Sequence, residues 1–141
     1  AAFDGVAGTV GIVIDGAGGV MGEGASMVVE ELTGAETLVA GDDIFVLVGS
    51  SLADTSAVET AIEASGDFAI TMGSTISADE VFFLVYSDGT DSYVAAATVV
   101  ANAGAAAFTA AETSITNLVK LAGVSSISTG DFVSADFYMN A

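Results

Sequence analysis

The chain has no cysteine, histidine, proline, tryptophan or arginine, and its only basic side chain is Lys120. Each absence removes a class of chemistry. Without cysteine there are no disulfides, no thiolate nucleophile and no zinc–thiolate site, and without histidine the commonest general base and metal ligand is gone. One base against 19 acids gives a formal net charge of −18. Such a chain cannot neutralise nucleic-acid phosphates, and an anionic membrane surface repels it. No stretch reaches the roughly 18–20 uninterrupted apolar residues of a membrane-spanning helix.

What is present is apolar and β-prone. Hydrophobic residues make up 52% of the 141 positions, enough for one domain with a real core despite the charge. The composition, free of cysteine and rich in Ala, Gly, Ser, Thr and Val, fits a bacterial surface or secreted protein. A halophilic cytoplasmic protein is the alternative, since acidic surfaces also suit high salt. A start at Ala1-Ala2-Phe3, with no initiator Met, suggests a processed or excised segment.

Val81 to Tyr86 is an unbroken β-branched, aromatic and aliphatic run, as expected of a strand covered on both faces. Ser87-Asp88-Gly89-Thr90 supplies a reversal, and the chain returns from Asp91 as a second strand, so a central hairpin is predicted. Ile44 to Ser50 reads as another buried strand. Asp42 to Ser50 aligns with Asp79 to Ser87, each copy opening on an acidic pair, which suggests a duplicated hairpin unit. Ser26 to Leu32 fits a strand or a short helix, with strand preferred, and Asp67 to Gly73 reads as a short alternating strand.

Two helices are predicted. Ser56-Ala57-Val58-Glu59 has capping-box spacing, followed by an apolar stripe of Val58, Ala61 and Ile62 and by Gly66 at the C′ position. Thr109-Ala110-Ala111-Glu112 repeats the pattern, and Ile115, Leu118, Val119 and Ala122 keep helical spacing up to Gly123. On this reading Lys120 complements the second helix's dipole near its C-terminus. Phe132 and Phe137 are expected to anchor the C-terminus on the core.

Residues 1–24 form a glycine-rich, β-prone arm, set apart from a single β-rich domain over 25–141. Its strand carries Val10, Ile12 and Ile14 on one face and Val13 on the other, with Gly16-Ala17-Gly18-Gly19 as a flexible break. These four residues are the candidate assembly strand, pairing either within its own domain or with a neighbouring chain.

Carboxylate pairs are the only catalytic route left, and pairs arise by chance among so many acids, so the chain reads as a non-enzyme. The acids instead raise calcium as a cofactor, because hard cations collect carboxylate and carbonyl oxygens at Gly-containing turns. The candidate ligands are Asp42, Asp43, Asp79, Glu80, Asp88 and Asp91. A solvated acidic turn is the competing explanation for each pair.

Asp-Glu-Val-Phe-Phe-Leu-Val-Tyr-Ser-Asp-Gly-Thr-Asp-Ser-Tyr-Val from Asp79, then Phe108-Thr109-Ala110-Ala111-Glu112, Leu118 to Val124 and Asp136-Phe137, resembles the C-terminal domains of bacterial secreted and surface proteins of the hemolysin-type, or bluetail, group. The resemblance covers about Asp42 to the C-terminus. It implies a β-rich extracellular module associated with calcium, type I secretion and adhesive or surface-layer proteins. The expected fold is mainly β, with sandwich-like antiparallel sheets and one or two short helices. The expected role is an extracellular, self-assembling surface, matrix or filament subunit whose partner is itself. The alternative is a calcium-binding, secretion-associated or adhesin module without self-assembly.

Overall fold

The computed structural model describes residues 15–16, 19–20, 29–38, 44–72, 78, 81–101 and 107–133. The fold is mainly β. A five-stranded sheet has the order β3 (Val29–Leu32), β5 (Ile44–Leu47), β7 (Val81–Ser87), β8 (Ser92–Val99) and β9 (Thr113–Leu121). Two smaller pairs accompany it. One is β1 (Asp15–Gly16) antiparallel to β2 (Gly19–Val20), and the other is β4 (Glu36–Leu38) parallel to β6 (Ile70–Met72). On either side of the expected flexible break, Asp15 lies opposite Val20 and Gly16 opposite Gly19.

The predicted hairpin is present, with β7 and β8 in register from Val81↔Thr98 to Ser87↔Ser92. The sheet as a whole is mixed rather than antiparallel, because β3, β5 and β7 run parallel. The two aligned strands of the suspected repeat are thus parallel neighbours and not two hairpins. A parallel return needs a crossover, and α1 (Thr55–Ile62) lies in the connection from β5 to β7. Ser50 and Ser87, which end the two aligned copies, meet: the Ser87 N–H donates to Ser50 Oγ at 3.0 Å.

Both faces of the sheet are covered, which is why β5 and β7 show no polar alternation. Against one face, Phe45, Leu47, Phe82, Leu84, Tyr86, Ala95 and Ala97 pack with Val58, Ala61 and Ile62 of α1 and with Ile70 and Phe108. On the other, Ile44, Val46, Phe83, Val85 and Val94 pack with Ile127, and Phe132 lies partly buried against them. Phe132 anchors as expected, while Phe137 lies outside the described residues.

The helix keeps its predicted stripe but changes its cap. Asp54, not Ser56, is the N-cap, its carboxylate accepting from the Ala57 N–H at 2.9 Å. The helix ends at Glu63, and Gly66 comes three residues later. There the chain passes so close to α1 that a Cβ on Gly66 would stand 2.2 Å from the Ala61 carbonyl oxygen.

The second predicted helix is a strand. Thr109 and Glu112 form one half of the exchange that suggested a capping box: the Thr109 N–H donates to Glu112 Oε2 at 2.5 Å, while the Glu112 N–H goes to the Thr109 backbone carbonyl at 3.1 Å, closing a turn. Ala111 between them sits at φ 67, in the left-handed region, which turns the chain out of helical geometry. Beyond it, Thr113 and Ile115 are buried and alternate with exposed Ser114 and Thr116, a period of two with β-branched residues that suits the free flank of β8. Lys120 accordingly has no helix dipole to complement.

Candidate functional site

The polar residues converge where the β7–β8 hairpin meets the end of β9. The loop is built by Asp88, whose Oδ1 accepts from the N–H of Thr90 at 2.7 Å and of Asp91 at 2.8 Å, while the Asp88 N–H donates to the Asp91 carbonyl at 2.9 Å. Aspartate is suited to this because its short carboxylate reaches backbone two and three residues on. Gly89 has φ 88, a conformation open to glycine at no steric cost.

Register then lines up three side chains across the sheet, Tyr86 opposite Tyr93 and Tyr93 opposite Lys120. The tyrosine rings stack at 5.2 Å, and Lys120 Nζ lies 5.9 Å from the Tyr93 ring centre, within cation–π range. The Tyr86 hydroxyl donates to Asn117 Oδ1 and the Tyr93 hydroxyl to Asp88 Oδ2, each at 3.0 Å. Asp91 completes the cluster: Oδ2 pairs with Lys120 Nζ at 2.7 Å, and Oδ1 accepts from the Gly123 N–H at 2.7 Å. Beneath it, Ser87 Oγ lies 2.9 Å from the Ser125 carbonyl, and Ser92 Oγ donates to the Val124 carbonyl at 2.7 Å.

These contacts fix the protonation states. The backbone donors of Asp91 and Thr90 hold the Asp88 carboxyl below its usual range. The bond to Lys120, then the Gly123 N–H, does the same for Asp91, and Asp91 in turn holds Lys120 above the usual lysine value. The hydrogen bond to Asp88 raises Tyr93, and burial raises Tyr86. At neutral pH each group is kept in its ordinary form: carboxylates charged, ammonium charged, phenols neutral.

Of the six candidate calcium ligands, Asp88 and Asp91 are brought together, but all four of their carboxylate oxygens already face protein donors. Asp42, Asp43, Asp79 and Glu80 lie outside the described residues, as do Val10, Ile12, Val13 and Ile14 of the assembly strand. Among the described residues, no three acidic side chains gather into a group able to hold a metal ion. The residues missed from sequence are Tyr86, Tyr93, Asn117 and Lys120. The tyrosines were within reach, because a hairpin closing at Ser87↔Ser92 makes them cross-strand partners.

The same use of acids recurs elsewhere. Asp54 caps α1, Glu59 Oε1 accepts from the Ile115 N–H at 3.1 Å, and Asp131 accepts from the Ser128 N–H at 2.6 Å. The Gly130 N–H donates to the Glu31 carboxylate. No described helix is long and apolar enough to cross a membrane. Compared with models of protein families, with characterised proteins and with solved structures, the chain matches none.

Proposed function

We propose that the chain is a non-enzymatic structural subunit of an extracellular bacterial surface, matrix or filament, and that it assembles with copies of itself. The observation that carries this reading is how the acids are used. Asp54, Glu59, Asp88, Asp91, Glu112 and Asp131 each take a backbone N–H of this same chain. Acids used this way brace loops and strand ends, and the side chains that Asp88 and Asp91 also hold, Tyr93 and Lys120, are tied into the same hairpin cluster. The resemblance to secreted and surface modules of the hemolysin-type group points the same way, and we retain a sandwich-like packing of sheets as the body of the subunit.

Assembly in this proposal runs through Val10, Ile12, Val13 and Ile14. From Gly5 to Ile14 the sequence has no charged residue, so this segment can approach another copy of a −18 chain without direct like-charge contact. Strand addition would satisfy its backbone groups while alternate side chains enter the acceptor, and a head-to-tail contact need not close. Deleting residues 1–19 tests it, with assembly followed by electron microscopy. A folded monomer that no longer assembles is expected. An unfolded product, or assembly that survives the deletion, overturns the reading.

A further inference from the structure

The edges of the five-stranded sheet differ in charge. β3, at one edge, carries Glu30 and Glu31. β9, at the other, is acid-free, and no acid occurs from Thr113 to Gly130. For a chain of net charge −18, the nine-residue β9 is the one of these two edges where a second copy meets less repulsion.

The backbone of that edge is also self-complementary. The Ile115 N–H goes to Glu59 on α1 rather than to β8, so it points out of the sheet. The period of two in an antiparallel ladder aims the main chain of Thr113 and Asn117 the same way, ahead of the register shift opposite Val94/Ala95. A second β9 laid antiparallel and centred on Ile115 places Thr113 against Asn117 of the other copy and Ile115 against its own counterpart. Glu59 occupies the central donor of that pairing. Val58 beside it is fully buried, so the helix backbone that presents Glu59 is held in place by the core.

We propose that Glu59 is a gatekeeper: its carboxylate closes the β9 edge to a second copy of this chain, and removing it opens that edge to antiparallel β9–β9 pairing. The inference is separate from strand donation by residues 1–19. It states which edge is kept out of assembly and by what group.

Because the chain has no cysteine, introduced thiols report the contact directly. Exposed Ser114 and Thr116 face each other across the dyad. Full-length Ser114→Cys and Thr116→Cys chains, both also carrying Glu59→Ala, are mixed and oxidised at low concentration. The mixture is expected to give about tenfold more disulfide-linked dimer than the same pair with Glu59 intact, a factor equivalent to about 1.4 kcal/mol. Glu59→Gln, which keeps the Oε1 acceptor, is expected to restore the low yield. Equal yields with Glu59, Ala and Gln overturn the proposal. A second measurement needs no variant: in the parent chain the amide of Ile115 should exchange with solvent more slowly than that of the exposed Asn117. Exchange as fast as Asn117 shows the N–H unguarded and overturns it as well.

Discussion

Phe108 gives the sharpest test of how the fold is held together. Its side chain is fully buried and stacks on Phe82 at 5.8 Å and 15°, and Phe82 meets Phe45 edge-on at 5.5 Å. Its backbone ties two elements to this cluster, accepting from the Ala64 N–H at 2.7 Å and donating to the Ile70 carbonyl at 3.4 Å. Phe108→Ala leaves those bonds possible and removes the ring, so the loss measured is that of packing. Truncating a buried Phe costs about 3–5 kcal/mol. Roughly 0.5–1.5 kcal/mol of that belongs to the aromatic pairing beyond area burial. Against a total stability of about 5–15 kcal/mol, this is a large fraction. Urea unfolding followed by circular dichroism should show a lower midpoint with an unchanged slope, the mark of lost stability without a change in the surface exposed. Val100→Ala, at a half-exposed position, should stay within about 0.5 kcal/mol of the parent. A Phe108→Ala loss below about 1 kcal/mol would refute the assignment of Phe108 to the core that joins α1, β6 and the sheet.

The hairpin acids make stability depend on pH in a defined direction. Asp88 and Asp91 have folded pKa values below the ordinary 3.8, so their contribution is full above that value and is lost as pH falls through the depressed ones. Acid also relieves the general repulsion, so the quantity to measure is the stability difference between parent and Asp88→Asn. That difference should be steady above about pH 5 and shrink below about pH 4. A difference that does not change with pH refutes the reading. Calcium is the remaining test. An ion bound only to the folded chain stabilises by about 2.7 kcal/mol at one hundred times its Kd. Because Lys120 and backbone N–H groups already occupy Asp88 and Asp91, this loop is expected to contribute nothing to any calcium-specific rise in Tm, so that a rise measured at matched ionic strength persists in Asp88→Asn. A calcium-specific rise that disappears in Asp88→Asn would return the ion to this loop.

The parts of the fold legible in the sequence were those decided by local pattern. Val81 to Tyr86 and Ile44 to Leu47 are unbroken apolar runs, Asp88-Gly89 is a strong reversal, and Val58, Ala61 and Ile62 mark one helix face. The parts that were not legible were decided by distant partners. Ile115, Leu118, Val119 and Ala122 fit a helix as well as Thr113, Ile115, Val119 and Leu121 fit a strand, and the open flank of β8 settles the choice. Asp42 to Ser50 and Asp79 to Ser87 resemble each other because both are buried strands, and similarity cannot tell parallel neighbours from repeated hairpins. The candidate site shared this limit. Asp88 and Asp91 were singled out as calcium ligands or a solvated acidic turn, whereas their bonds within the hairpin depend on partners the turn itself does not announce: Lys120 reaches Asp91 only because its segment is extended in β9. Glu59 meets Ile115 across 56 residues, a contact no local spacing announces.

Lys120 also bears on how long such a protein would last outside a cell. A protease that cuts after basic residues has a single bond to attack in these 141 residues, between Lys120 and Leu121. That bond lies inside β9, with Leu121 opposite Ser92 in the ladder. The protease must also draw the lysine side chain into its specificity pocket, whereas here Nζ is held by Asp91 and lies over Tyr93. Cleavage therefore requires local opening of the strand end, and loosening the hairpin cluster that holds Lys120 is expected to speed trypsin-like digestion.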